Sequence, residues 1–303
     1  MTRVAFVGLG SMGLPMATNL LAKEFTVTGY DLSVSALDAL ESAGGKRART
    51  AAEAASGADL LILMVVNAAQ AEAVLFEGGT LEALPTDGVV ALMATCPPAA
   101  VEAITDRVRK AGRRLIDAPV SGGVAGAKAA TLTIMAAAPR DIFDAMKPVF
   151  EALGDKVFHV GERPGQGAIV KTVNQLLCGV HIAVVAEAFA LAAKVGVDLK
   201  ILLEIMSGSS ASSWMLKDRG PRMLEAEPEV TSAVDIFVKD LGIVLDAGRD
   251  TKAALPLAAA AHQMFLAASG RGDGAADDSQ VIRSYFALNG VTTQPEPTNQ
   301  KVA

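Results

Sequence analysis

Seven short β-rich runs alternate with alanine-rich helical stretches up to about Val160, and then the alternation stops: RVAFVG, FTVTGY, DLLILMVV, GVVALM, RRLIDAPV, TLTIMAA and KVFHV. Each parallel strand needs a crossover to carry the chain back over one face, so this alternation predicts a doubly wound parallel sheet. DLLILMVV is apolar throughout after its aspartate, as a central strand covered by helices on both sides must be. Beyond GERPGQG the β signal gives way to helical periodicity over 166–194, 199–206, 233–251 and 256–269. The expected organisation is an α/β domain over 1–163, an all-helical domain over 164–290 and a polar, frayed tail over 291–303. A chain of 303 residues suits two domains. In the long helix that opens the second, Ile169, Val173, Leu176, Leu177 and Val180 recur at three- and four-residue spacing and define one apolar face.

Composition narrows the function. An apolar fraction of 51% with 20% charged residues excludes a disordered chain. Lys+Arg 27 against Asp+Glu 33 leaves −6, with no basic block, which argues against a nucleic-acid partner. The N-terminus enters a strand at once with no signal region, so a cytoplasmic protein is expected. The most membrane-like stretch, 176–193, is interrupted by His181 and Glu187 and reads as a core helix. Cys96 and Cys178 lie far apart with no ligand-like spacing, and both are expected to be small buried residues. RGDGAADDSQ lacks the alternating ligands and closing Glu of a calcium loop, so no metal is expected and a helix-capping loop is.

The first strand runs directly into Gly8-Leu9-Gly10-Ser11-Met12-Gly13, a G-x-G-x-x-G turn that opens an amphipathic helix. In a Rossmann-type domain Gly8 permits the tight turn, Gly10 lets backbone approach a pyrophosphate, and Gly13 allows close helix packing, with the anion at the helix N-terminus. Asp31 ends the second strand 18 residues after Gly13, where a carboxylate can accept both ribose hydroxyls. That carboxylate would repel a 2′-phosphate and no Arg follows it in LSVSAL, so NAD is favoured over NADP. Val65, Val66 and Thr95 follow the carboxyl ends of two central strands, where such sheets bind ligands.

A dinucleotide that exchanges hydride needs a partner that exchanges a proton with substrate oxygen. His159, His181 and His262 are each expected to be structural first. Lys171 is the stronger candidate: it lies one turn after Gly167 on the same helical face, with Asn174 and Gln175 three and four residues on. A lysine near its reference pKa of about 10.4 is a poor base, and desolvation beside a cationic nicotinamide would lower it. A solvated surface lysine remains the alternative. In DAPVSGG, Ser121, Gly122 and Gly123 offer successive backbone amides and a hydroxyl, either a plain loop or a small anion nest.

Together these segments resemble the β-hydroxyacid dehydrogenase family over almost the whole chain. GLGSMGLPMATNL (8–20) resembles its dinucleotide signature, DAPVSGGVAGAKAATLTIM (117–135) its substrate segment, GQGAIVKTVNQLL (165–177) its lysine helix, and FVKDLG (237–242) its C-terminal Lys-Asp signature. The resemblance implies that Lys171 transfers the proton, that Ser121, Gly122 and Gly123 hold a substrate carboxylate, and that Lys239 closes over nicotinamide and substrate. It further implies NAD-dependent oxidation of a small hydroxy acid, a four-carbon sugar acid in particular, with His181 and Trp214 as pocket candidates. A dimer or tetramer through the helical domain is expected. The chain departs from the family where Ala130 stands for a usual Gly, where Ala137-Ala138 replaces Gly-Gly, and where the turn in AKEFTVTGYD lacks its Gly. Gln175 stands where the family often has Asn, which leaves open whether Asn174 or Gln175 meets substrate.

Overall fold

The computed structural model describes residues 2–291. It divides into two compact units, Met1–Thr172 and Val173–Ala303. The expected tail, beyond Val291, lies outside the described residues.

The first unit is built on nine strands: β1 Arg3–Val7, β2 Thr26–Tyr30, β3 Lys46–Arg47, β4 Leu60–Leu63, β5 Val89–Leu92, β6 Arg114–Asp117, β7 Val120–Ser121, β8 Thr133–Ala137 and β9 Lys156–Gly161. Their order is β3-β2-β1-β4-β5-β6-β8-β7, with β9 on the other side of β8. From β3 to β6 every pairing is parallel. The alternation of side chains along these strands feeds two cores: Val4, Phe6, Leu60, Ile62, Val89 and Ala91 pack on one face, and Ala5, Val7, Leu61, Leu63, Val90 and Leu92 on the other. Helices cover both faces, which is why the central strands carry no polar residue.

Two features depart from the expected sheet. β8 runs antiparallel to β6 and β7, because the segment between β7 and β8, which includes only the short helix Gly123–Ala129, falls short of the dozen or more residues a parallel crossover needs. β3 and β7 carried no readable β signal, each being two residues long.

The second unit holds helices Leu199–Gly208, Trp214–Met223, Val234–Thr251, Pro256–Ala268 and Ile282–Asn289. Their core centres on Phe189, Phe237 and Phe265, the last two stacked at 5.2 Å. A buried ion network joins the Trp214–Met223 helix to the Asp-Asp-Ser-Gln segment. Arg219 grips Asp278 through two bonds of 2.8 and 2.9 Å, and Arg222 reaches Asp277 at 2.7 Å. Asp277 also accepts the backbone N–H groups of Thr231 and Ser279. The acidic pair thus serves as arginine partner and capping loop.

The helix Gln166–Lys194 is 29 residues long and apolar enough to cross a membrane by composition. Its opening turns, to Thr172, belong to the first unit and the remainder to the second, so residues 164–172, expected to open the helical domain, fall in the first unit. The apolar face read from the sequence is split: Ile169, Val173 and Leu177 are each at least half exposed, whereas Leu176 and Val180 pack against the helical core. The buried stripe is instead Ala168, Lys171, Gln175, Gly179, Ile182 and Ala186. Close approach selects that stripe, since a Cβ at Gly179 would lie 2.8 Å from the side chain of Leu241.

Candidate active site

The first unit carries the dinucleotide turn. Gly8 adopts φ +94°, and its N–H bonds to the Tyr30 carbonyl at 3.1 Å, pinning the turn to β2. A Cβ on Gly13 would fall 1.8 Å from the Gly8 carbonyl oxygen, so the helix Gly13–Ala22 can begin this close to β1 only with glycine. Around Gly10 nothing lies within 4 Å of a would-be Cβ, which leaves the open approach a pyrophosphate requires. Met12 supplies no side-chain cap to the helix. Its first-turn N–H groups therefore suit an anion, and Ser11 sits exposed beside them.

Leu9 behaves differently from its neighbours: its side chain is buried in the core, and its N–H donates to Asp31 Oδ2 at 2.6 Å. Asp31 Oδ1 accepts from the Ser33 N–H at 2.7 Å. Both bonds fix the orientation of the carboxylate while leaving lone pairs for ribose hydroxyls. Val65 and Thr95 are half-buried at the carboxyl ends of β4 and β5, and Val66 is exposed. These residues fit an NAD molecule laid across the ends of β1, β2, β4 and β5.

Further along the same sheet, β6 leads through Ala118-Pro119 into Ser121, Gly122 and Gly123. Gly122 and Gly123 adopt φ of +132° and +60°, and all three residues remain accessible. Lys171 is buried at 7% exposure on the first unit's part of the long helix, so it is not a solvated surface lysine. His159 is structural: Nε2 lies 2.8 Å from the Ala138 carbonyl and its ring packs on Phe143 at 4.7 Å.

In the second unit a buried group forms around Asp240, which sequence reasoning passed over inside its Lys-Asp signature. Asp240 is 2% exposed; Lys239 Nζ lies 2.7 Å from its Oδ1, and the Gln175 side-chain amide donates to its Oδ2. The signal was present, since an acid beside a functional lysine is its natural partner. Asn174 is half-buried and its amide points to Cys178 Sγ at 2.9 Å, so Cys178 is only partly buried, against expectation. His181 is half-buried on the long helix, and Trp214 is exposed with the Arg219 guanidinium 6.0 Å from its ring. Neither takes part in the hydrogen-bonded group around Asp240. His262 Nε2 lies 3.0 Å from the Val238 carbonyl, tying two helices together.

Comparison with known proteins agrees with this layout. Residues 3–161 match the NAD binding domain of 6-phosphogluconate dehydrogenase, and 165–285 match the NAD-binding domain of NADP-dependent 3-hydroxyisobutyrate dehydrogenase. The chain is 43% identical to an L-threonate dehydrogenase of Cupriavidus necator, covering 93% of this chain and 95% of the relative. It is 40% identical to one of Haemophilus influenzae, covering 94% and 96%. A crystal structure of 3-hydroxyisobutyrate dehydrogenase from Salmonella typhimurium is similar at a TM-score of 0.89 and 38% identity, covering 93% of this chain and 99% of that one. With both units matched over nearly their full length and a dinucleotide turn built to hold NAD, the chain belongs to the NAD-dependent β-hydroxyacid dehydrogenases of the 3-hydroxyisobutyrate dehydrogenase type.

Proposed function

We propose that this enzyme oxidises L-threonate at its 2-hydroxyl to the 2-oxo acid, using NAD in preference to NADP and Lys171 as the proton-transfer group. The observation that carries the substrate is the identity to L-threonate dehydrogenases over nearly the whole chain. When bound, NAD+ supplies the acceptor for the hydride that leaves C2 as the C2–O double bond forms. Lys171 takes the hydroxyl proton in that step and passes it to solvent, so the overall reaction yields oxo acid, NADH and one proton. Its burial removes the amine from competing water, as a proton acceptor of this kind requires.

Ser121, Gly122 and Gly123 hold the substrate carboxylate through hydroxyl and backbone N–H groups. Of the two amides, Gln175 is assigned to substrate, because it shares the buried stripe with Lys171 and Asp240 fixes its rotamer. Asp240 likewise fixes the position of Lys239, whose Nζ lies 2.7 Å from its Oδ1. Cofactor preference rests on Asp31, whose carboxylate occupies the place a 2′-phosphate would need. The enzyme is assigned to the cytoplasm and to homo-oligomers. The occupant of the outward face of the long helix is a second copy: Val173, Leu177, Val184 and Leu191, with Val180 half-buried between them, form an exposed apolar stripe roughly 27 Å long.

The test is NADH formation at 340 nm from L-threonate, D-threonate, D-erythronate, 3-hydroxyisobutyrate and glycerate, each with NAD and NADP, for wild type and Lys171→Ala. The expected result is L-threonate with NAD at least tenfold above the rest and no turnover by the variant. Preference for 3-hydroxyisobutyrate or glycerate would overturn the substrate. Unchanged turnover in Lys171→Ala would overturn the proton-transfer role.

A further inference from the structure

We propose that Asp117 is a positioning residue for Lys171, its carboxylate clamping the first turn of the lysine-bearing helix onto the end of β6, the strand that leads into Ser121. This rests on Lys171 being the proton-transfer group. It adds that the lysine and the substrate segment are held to one another by a single buried acid.

Asp117 is the last residue of β6 and is 1% exposed. Its Oδ2 accepts the backbone N–H of Gly165 at 2.8 Å and that of Ala168 at 2.9 Å. Helix N-termini leave their first N–H groups unsatisfied, and a residue immediately before the helix normally caps them. Here the preceding residues are Pro164 and Gly165, whose side chains can accept nothing, and the cap comes from 48 and 51 residues upstream. The cap is therefore also a tertiary tie.

The backbone contact is as close as chemistry allows. A Cβ at Gly167 would lie 2.5 Å from the Met135 carbonyl oxygen, 2.9 Å from the Asp117 carbonyl oxygen and 2.9 Å from Asp117 Oδ2. The helix thus rests on the end of β6 and the middle of β8 with no side chain between them. Gly165, at φ +99°, turns the chain so that its N–H meets the carboxylate, with Glu102 alongside. Lys171 follows Ala168 by three residues, less than one turn, and both are buried. A tilt of the clamped turn is carried directly to Nζ. On the strand side Ser121 follows Asp117 by four residues through Ala118-Pro119 and β7, so the acid sits at the junction of both elements.

Burial pushes the Asp117 carboxyl up to about 6, and the N–H bonds pull the other way. A carboxylate kept in so costly a place is expected to hold geometry that an apolar residue could not.

The experiment measures kcat, KM and NADH affinity by fluorescence titration for Asp117→Ala, Asp117→Asn, Gly167→Ala and Lys171→Ala. Misplacing a reacting group by about 1 Å costs up to roughly 100-fold in rate. Asp117→Ala and Gly167→Ala are therefore expected to lower kcat about 10- to 100-fold with NADH affinity within twofold, because the dinucleotide turn lies three strands away on β1. Asp117→Asn retains an oxygen able to accept both N–H bonds and is expected to keep kcat within about fivefold. Should Asp117→Ala fail to fold, Gly167→Ala and Asp117→Asn carry the test. Folded Asp117→Ala or Gly167→Ala with wild-type kcat, or loss of NADH affinity in parallel with kcat, would overturn the proposal. Unchanged turnover in Lys171→Ala would instead overturn the lysine reading itself, and the clamp's role with it.

Discussion

Replacing Gly13 and Gly10 separately by Ala distinguishes the two demands made on the dinucleotide turn. At Gly13 the new methyl would sit 1.8 Å from the Gly8 carbonyl oxygen and 3.1 Å from Phe6 Cε1. Relaxing the first contact to about 3.3 Å moves the helix start or Gly8 by about 1.5 Å. Overpacking of this kind costs about 1–3 kcal/mol of stability. The displaced first-turn N–H groups also lose pyrophosphate bonds, each worth about 1.5–3 kcal/mol to a charged acceptor. One lost bond raises the NADH Kd roughly 10- to 150-fold. At Gly10 nothing lies within 4 Å, so apo stability should stay within about 0.5 kcal/mol while the methyl obstructs the cofactor. Thermal melts of the apo protein and NADH fluorescence titration read the two effects independently. Gly13→Ala with wild-type stability and affinity would refute the close-approach argument, and Gly10→Ala as unstable as Gly13→Ala would refute the assignment of open space.

Other expectations follow from particular residues. Glu24 and Ala130 adopt left-handed φ of +64° and +55°, each at a helix end where a six-to-one backbone bond closes the turn, Phe25 to Leu20 and Thr131 to Gly126. Relief of about 1–2 kcal/mol of left-handed strain, less about 0.4–1 for greater unfolded freedom, makes Glu24→Gly and Ala130→Gly each stabilising by about 0.5–1 kcal/mol in urea unfolding. Asp117 has its folded value raised from 3.8 to about 6, so its contribution is fullest below pH 3.8 and falls by roughly 3 kcal/mol as pH rises through 6. Urea unfolding at pH 4 and 6.5 should show Asp117→Asn lacking this slope, and identical slopes would refute the raised value. Leu177→Glu with Leu191→Glu should lower the mass seen by light scattering while leaving secondary structure intact.

The sheet was legible because Leu60–Leu63 and Val89–Leu92 must be apolar on both faces, and the nucleotide turn because its glycines sit between a strand and a helix. The buried face of the long helix was not. Periodicity marks where apolar residues lie, and on this helix the more apolar stripe points outward while Lys171, Gln175 and Gly179 face inward. Asp117 escaped for a related reason: a buried acid is recognised by what it bonds, and its partners Gly165 and Ala168 lie 48 and 51 residues away. Asp240 stood beside Lys239 and was overlooked, although its second partner, Gln175, is 65 residues away. Of the departures from the family's glycine pattern, Ala130 and Glu24, in the turn of AKEFTVTGYD, carried more information than conformity would have. The backbone keeps its left-handed turns there despite the side chains.

The ion network of the helical unit bears on how the chain folds as it is made. Arg219 and Arg222 leave the ribosome 59 and 55 residues ahead of Asp278 and Asp277. At translation rates of 5–20 residues per second that interval is roughly 3–12 s. Throughout it, among the described residues already made, Asp218 is the one acid paired with the two guanidinium groups, and burying an unpaired charge is strongly unfavourable. The helical bundle is therefore expected to close only once the acidic pair has emerged, after the sheet, whose strands are complete by Gly161. A chain truncated before Asp277 is expected to be cut faster than the full chain in limited proteolysis, and equal rates would refute this reading.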